Sequence, residues 1–192
     1  FTWKEAMGEV RRLAAHLKDR AYPPGSRIAI LSKNCAWWFM VDLAIWMAGH
    51  VSVPVYPTLT ADSVRAILEH SGARLVFIGK LDHFDEMSAG IPSSVDRITF
   101  PLAPTNAGTS WNEIVARSAP IQDSVDREPE ELVTIMYTSG STGAPKGVMH
   151  SFRTMGFSQT FCDLAAITSG DRAVSYLPLS HVAEGALLHT TS

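Results

Sequence analysis

The sequence predicts an α/β fold, mostly parallel sheets flanked by helices, and three observations carry that expectation. Short apolar runs alternate with helix-period segments through three cycles in the first 80 residues. Such alternation requires crossover connections, which make neighbouring strands parallel. Those helical segments are bounded by a capping residue at one end and by glycine or proline at the other. Finally, 46% of the chain is hydrophobic and 18% charged, enough apolar mass for a substantial core and against disorder.

The elements run in order along the chain. Trp3, Ala6, Met7, Val10, Leu13, Ala14 and Leu17 recur at helical spacing, and Thr2 with Glu5 forms a capping box in front of them. Tyr22-Pro23-Pro24-Gly25 stops that helix, and residues 27–31 (RIAIL) read as a buried strand. Asn34 or a neighbour opens an apolar helix that Gly49 ends. Residues 51–56 (VSVPVY) read as a strand in which Pro54 suggests an edge or a bulge. Thr60 caps a helix carrying Val64, Ile67 and Leu68, Gly72 closes it, and residues 74–78 form the next strand. Residues 81–117 are less regular, with Ser110 and Glu113 as a candidate helix start. Residues 118–131 are polar and acidic and read as a surface linker into a next sheet. A strand over 132–137, a second apolar run at 148–150, a helix over about 152–167 and a strand over 173–176 complete the pattern.

The formal net charge is −3, from 16 basic and 19 acidic residues without a basic block, so nucleic acid is not an expected partner. Cys35 and Cys162 stand in no metal or redox spacing and read as free thiols of a reducing, cytoplasmic compartment. No secretory signal is visible, since the chain opens directly on a helix-start pattern. The most apolar stretch, 35–49, is too short to span a bilayer and contains Asp42. Trp37, Trp38, Phe39 and Trp46 fall on this helix, where core packing explains them better than a ligand box.

The chemistry concentrates in residues 138–147, which hold three glycines, two threonines, two serines and one lysine between apolar strand-like runs. Glycines let a backbone approach a ligand closely, and successive N–H groups form a nest for an anion. The hydroxyls of Thr138, Ser139, Ser141 and Thr142 add donors, and Lys146 adds a positive charge. These are the parts needed to hold a polyphosphate. A flexible linker is the bland reading, but linkers seldom place Thr-Gly-x-Pro-Lys-Gly between two apolar strands. A Walker loop is rejected. Pro145 stands where its second glycine belongs, Gly147 replaces its hydroxyl residue, and a strand rather than a helix comes next.

The run Tyr137-Thr138-Ser139-Gly140-Ser141-Thr142-Gly143-Ala144-Pro145-Lys146-Gly147-Val148 resembles the phosphate-loop motif of the adenylate-forming (AMP-binding) superfamily. That superfamily contains acyl-CoA synthetases, peptide-synthetase adenylation domains and beetle luciferases. Thr2-Trp3, the run 24–31, Ala48-Gly49-His50 and the run 53–58 look like its landmarks in the same order. The segment 52–58 and Leu177-Pro178-Leu179-Ser180-His181-Val182-Ala183-Glu184 are similar to medium- and long-chain fatty-acyl-CoA synthetases, although Gly185 stands where those have arginine.

The resemblance implies a partial N-terminal adenylation domain over 1–192, of a family with layered αβαβα architecture, and no C-terminal domain. It implies a two-step reaction: a carboxylate attacks the α-phosphorus of ATP to give an acyl-adenylate, and the thiol of coenzyme A then displaces AMP. Thr138, Ser139, Gly140, Ser141, Thr142, Gly143 and Lys146 would hold the β- and γ-phosphates, and Thr138 would offer its hydroxyl to Mg2+. His181 would lie at the acyl carboxylate, where the bland reading is an ordinary loop histidine; Glu184 carries less weight. The remaining histidines (16, 50, 70, 83, 150, 189) show no metal spacing and receive no role. Later family motifs do not appear before Ser192, so these residues alone are expected to lack turnover and to self-associate through open edges or apolar patches. A fatty-acyl substrate makes peripheral membrane contact an expectation. The alternatives are adenylation of an aryl or amino acid, or a non-catalytic nucleotide-binding protein.

Overall fold

A computed structural model describes residues 1–123, 125–138, 145–156, 160, 163–164, 166–168, 171 and 174–181. Helix α1 (Trp3–Asp19) starts on the capping box: Thr2 Oγ1 accepts the Glu5 N–H at 3.3 Å, and Glu5 returns a carboxylate oxygen to the Thr2 N–H at 2.7 Å. Next come β1 (Arg27–Leu31), α2 (Ala36–Met47), β2 (Val51–Val55), α3 (Ala61–Ser71) and β3 (Leu75–Ile78). Thr60 caps α3 and Gly72 ends it with φ 63°, a left-handed position that glycine adopts without strain. The irregular stretch resolves into α4 (Phe84–Ser88), β4 (Asp96–Thr99), β5 (Thr109–Ser110) and α5 (Trp111–Arg117), the last opened by the Ser110/Glu113 capping box. Two final strands, β6 (Leu132–Thr138) and β7 (Lys146–Ser151), precede α6 (Phe152–Gly156).

The seven strands of the described residues join one sheet in the order β5-β4-β3-β1-β2-β6-β7. Every neighbouring pair is parallel except β6 with β7. Residues along β1 and β3 alternate between the two faces. Ile28, Ile30, Leu75 and Phe77 pack with α1, α2 and α5, while Ala29, Leu31, Val76 and Ile78 pack with α3 and α4. The result is a sheet whose β1, β2 and β3 are covered on both sides and buried as near-continuous apolar runs, while β7 lies exposed at one edge.

Four expectations change. Among the described residues, 118–131 lead back into the same sheet rather than to a second one, because β6 joins it beside β2. The strand with Pro54 is interior rather than an edge. Its pairing with β6 is confined to Ser52–Thr134, so the strand is locally an edge where the proline removes a donor. The helix begun at Phe152 does not reach 167: residues 163 and 164 are helical, but Ala166 has φ 53°, which an α-helix does not continue through. Residues 174–176 form no strand among the described residues, and Val174 and Tyr176 are 83% and 78% exposed.

The polar stretch is strapped down rather than loose. Arg11 donates to the carbonyls of Ile121 and Gln122, and Arg12 to that of Ser118. Arg127, its side chain only 9% exposed, forks to the carbonyls of Trp46 and His50 at 3.2 Å and of Leu132 at 3.0 Å. It also pairs with Glu131 at 2.6 Å and lies 4.9 Å from the Phe152 ring centre. One guanidinium therefore ties the α2–β2 turn to the start of β6. Lysine keeps the charge and loses the fork, so Arg127→Lys is expected to cost about 2 kcal/mol in urea unfolding. A cost below about 0.5 kcal/mol, the range of neutral surface changes, would remove Arg127 from this role.

Candidate functional site

In open α/β sheets, ligands gather outside the carboxyl ends of the strands. Two of the expected site segments lie along that edge. The first is the β6–β7 hairpin. Thr138 and Lys146 face each other as the last cross-strand pair, both exposed, and Tyr137 pairs with Gly147 below them. Lys146 and Thr138 are thereby brought to the root of the connection. Ser139, Gly140, Ser141, Thr142 and Gly143 lie outside the described residues.

The root is packed from beneath. Tyr137 is 6% exposed, and its hydroxyl meets His70 Nδ1 at 2.7 Å, on the last turn of α3. Burial pushes the Tyr137 hydroxyl above its usual range, so it remains protonated at neutral pH. A Cβ on Gly147 would fall 2.8 Å from Ile135 Cγ2 and 3.3 Å from the Tyr137 ring. Glycine at 147 thus lets β7 lie close over β6, a steric need that adds to its place in the motif.

The second segment carries His181. The chain runs from β1 through α2 to β2 on one side, then through α3 back to β3 on the other side of β1. The loops after β1 and β3 therefore diverge at a switch point. Its floor is closed by the Lys33 N–H to the Lys80 carbonyl at 2.9 Å, the Lys80 N–H to Ser32 Oγ at 3.0 Å, and a Lys33–Asp82 ion pair. Gly79 admits this closure, since a Cβ there would meet Ser32 Oγ at 2.3 Å. Asn34 rises from the β1–α2 loop and bonds the backbone of Leu177 and Leu179. Leu179 is buried in the α1/α2 core, and the exposed His181 lies just beyond it, its N–H donated to the Pro178 carbonyl at 2.8 Å. Beside this segment is a cleft of about 460 Å³ lined by Trp3, Phe39, Met40, Cys35 and Leu179.

Asn34 follows β1 and Thr138 ends β6, and these two strands are not sheet neighbours, because β2 lies between them. Sequence reasoning missed Asn34 and His70. Their partners lie 143 to 145 and 67 positions away, beyond any spacing rule. The helix start expected at Asn34 or a neighbour falls at Cys35, which makes no side-chain cap bond, while the Asn34 amide bonds Leu177 and Leu179. Among the described residues no group of three or more His, Cys, Asp or Glu could hold a metal, and no helix is long and apolar enough to cross a membrane.

The sequence is 32% identical to long chain acyl-CoA synthetase 6, peroxisomal, of Arabidopsis thaliana, covering 97% of this chain and 28% of that protein. It is 29% identical to the long-chain-fatty-acid–CoA ligase FadD15 of Mycobacterium tuberculosis, over 94% of this chain and 32% of that protein. The apo MatB structure from Rhodopseudomonas palustris superposes with a TM-score of 0.84 at 22% identity, over the whole of this chain and 38% of that one. The chain thus spans about a third of the length of these relatives. The sequence pattern of the AMP-binding enzymes matches residues 1–191. With the fold, the loop root and these matches in agreement, the chain belongs to the AMP-binding enzyme family.

Proposed function

We propose that the full-length protein carrying this chain activates a medium- or long-chain fatty acid with ATP, forming an acyl-adenylate and then an acyl-CoA. The observation that carries this reading is the Thr138–Lys146 pair at the end of the antiparallel β6–β7 hairpin of a mostly parallel sheet, at the root of the Gly/Ser/Thr run 139–143. The long-chain ligases among the relatives supply the substrate class. No covalent enzyme intermediate is required, so the chain's work is to place reactants and to stabilise phosphate charge.

In this reading the loop N–H groups and the Lys146 ammonium hold the β- and γ-phosphates, the part that departs as pyrophosphate. His70 and buried Tyr137 keep the root of the loop fixed. His181, exposed at the end of its anchored segment, works at the acid's carboxylate. Magnesium usually keeps several waters and leans on phosphate oxygens, so a single hydroxyl from Thr138 and no carboxylate cluster among the described residues fits an ion carried in by the nucleotide. When bound, it would screen the phosphate charge.

The test is thioester formation by the full-length protein with ATP and coenzyme A, across carboxylic acids from acetate to long-chain fatty acids, with aryl and amino acids included. Turnover highest on medium or long fatty acids is expected. Turnover confined to aryl or amino acids would overturn the substrate class and keep the reaction.

A further inference from the structure

We infer that Asn34 is a positioning residue that sets the place of His181. The inference deepens the proposed function and rests on it. Asn34 Nδ2 donates to the Leu177 carbonyl at 2.7 Å, and the Leu179 N–H donates to Asn34 Oδ1 at 2.9 Å. The orientation is fixed by chemistry: a backbone N–H can only face the amide oxygen, and a carbonyl can only face the amide nitrogen. A single side chain thereby imitates one rung of a β-ladder with a segment 143 to 145 residues away.

The segment needs such a clamp because regular structure does not supply one. Residues 174–176 are unpaired, and Val174, Tyr176 and Leu177 are exposed. Among the described residues, two features hold the chain from Leu177 to Leu179: the burial of Leu179, 3% exposed in the α1/α2 core, and the Asn34 amide. Burial of Leu179 and of the adjacent Ser180 fixes depth but does not set the path of the chain before Pro178. The amide bonds residues on both sides of Pro178, whose carbonyl in turn accepts the His181 N–H at 2.8 Å. Three consecutive constraints therefore run from the carboxyl end of β1 to His181. The switch point, where a doubly wound sheet often receives a ligand, is used here to dock the segment that carries the predicted reacting-group histidine.

Asn34 touches no reacting atom in this arrangement, so its signature is selective. In the full-length protein, Asn34→Ala is expected to lower kcat/KM for the carboxylic acid about tenfold, the scale of one or two lost hydrogen bonds, with KM for ATP unchanged. Hydrogen exchange at the Leu179 amide should accelerate about tenfold on the same scale, while the Ile30 amide inside β1 keeps its protection. Asn34→Asp retains an acceptor for the Leu179 N–H and loses the donor to Leu177. It should keep Leu179 protection and show an intermediate loss on the acid.

Unchanged Leu179 exchange in Asn34→Ala would overturn the clamp. Faster exchange with unchanged kcat/KM for the acid would overturn positioning, and equal losses toward acid and ATP would reduce Asn34 to a structural residue. If Asn34→Ala loses Ile30 protection as well, it has unfolded, and Asn34→Asp decides: kept Leu179 protection with an intermediate loss on the acid supports positioning, and an unchanged kcat/KM for the acid overturns it. A wild-type protein that activates no acid at all contradicts the proposed function instead, and the Leu179 exchange then decides the clamp by itself.

Discussion

Lys146→Ala is expected to slow adenylation by about 10²- to 10³-fold and to leave the unfolding midpoint where it is. The two halves of that expectation have separate grounds. Lys146 pairs with Thr138 through its backbone, and its side chain is exposed, so truncation empties no core and breaks no ladder bond. Surface substitutions of this kind move stability by about 0.5 kcal/mol or less. Loss of one preorganised group that stabilises developing charge costs about 2.7–4 kcal/mol in the transition state. Lys146→Arg keeps the charge on a wider, planar head and should recover only part of the rate. A destabilisation large enough to account for the lost activity would make Lys146 a structural residue and remove it from the phosphate site.

Trp111→Ala should cause the larger loss of stability, about 3–5 kcal/mol in urea unfolding, by the general cost of emptying a buried aromatic site. Trp111 is 1% exposed at the start of α5 and meets Phe100 edge-on with ring centres 5.9 Å apart. Its indole N–H donates to a Glu9 carboxylate oxygen at 2.7 Å, linking α5 to α1. Alanine therefore removes the ring, its contact with Phe100 and a charge-assisted hydrogen bond together. Trp111→Phe restores the apolar volume in part but not the bond, so it should fall between wild type and alanine. A cost for alanine below about 1 kcal/mol would show that α5 does not secure this end of the sheet.

The first half of the fold was legible because local rules and tertiary structure agree there. Thr2 with Glu5, Thr60, Gly72 and Ser110 with Glu113 sit at the element boundaries their chemistry requires. The apolar runs of β1 and β3 are buried on both faces, as continuous Val/Ile/Leu/Phe sequence suggests. β4 and β5 were not legible: four and two residues long, they are strands because β3 offers an edge to which β4, and then β5, adds. Pro54 misled because its ladder partner is set by where β6 diverges, which no local pattern records. Within the candidate site, Lys146 and Thr138 could be read from composition and motif. Asn34 and His70 could not, since each acts through a contact made across the folded sheet.

The central claim is that this loop-bearing edge serves adenylation, and ATP–pyrophosphate exchange by the full-length protein measures that step without coenzyme A. The account predicts exchange that depends on an added fatty acid, strongest with medium or long chains, and that falls about 10²- to 10³-fold in Lys146→Ala. Absence of exchange with every carboxylic acid tried, in a folded wild-type protein, would contradict it.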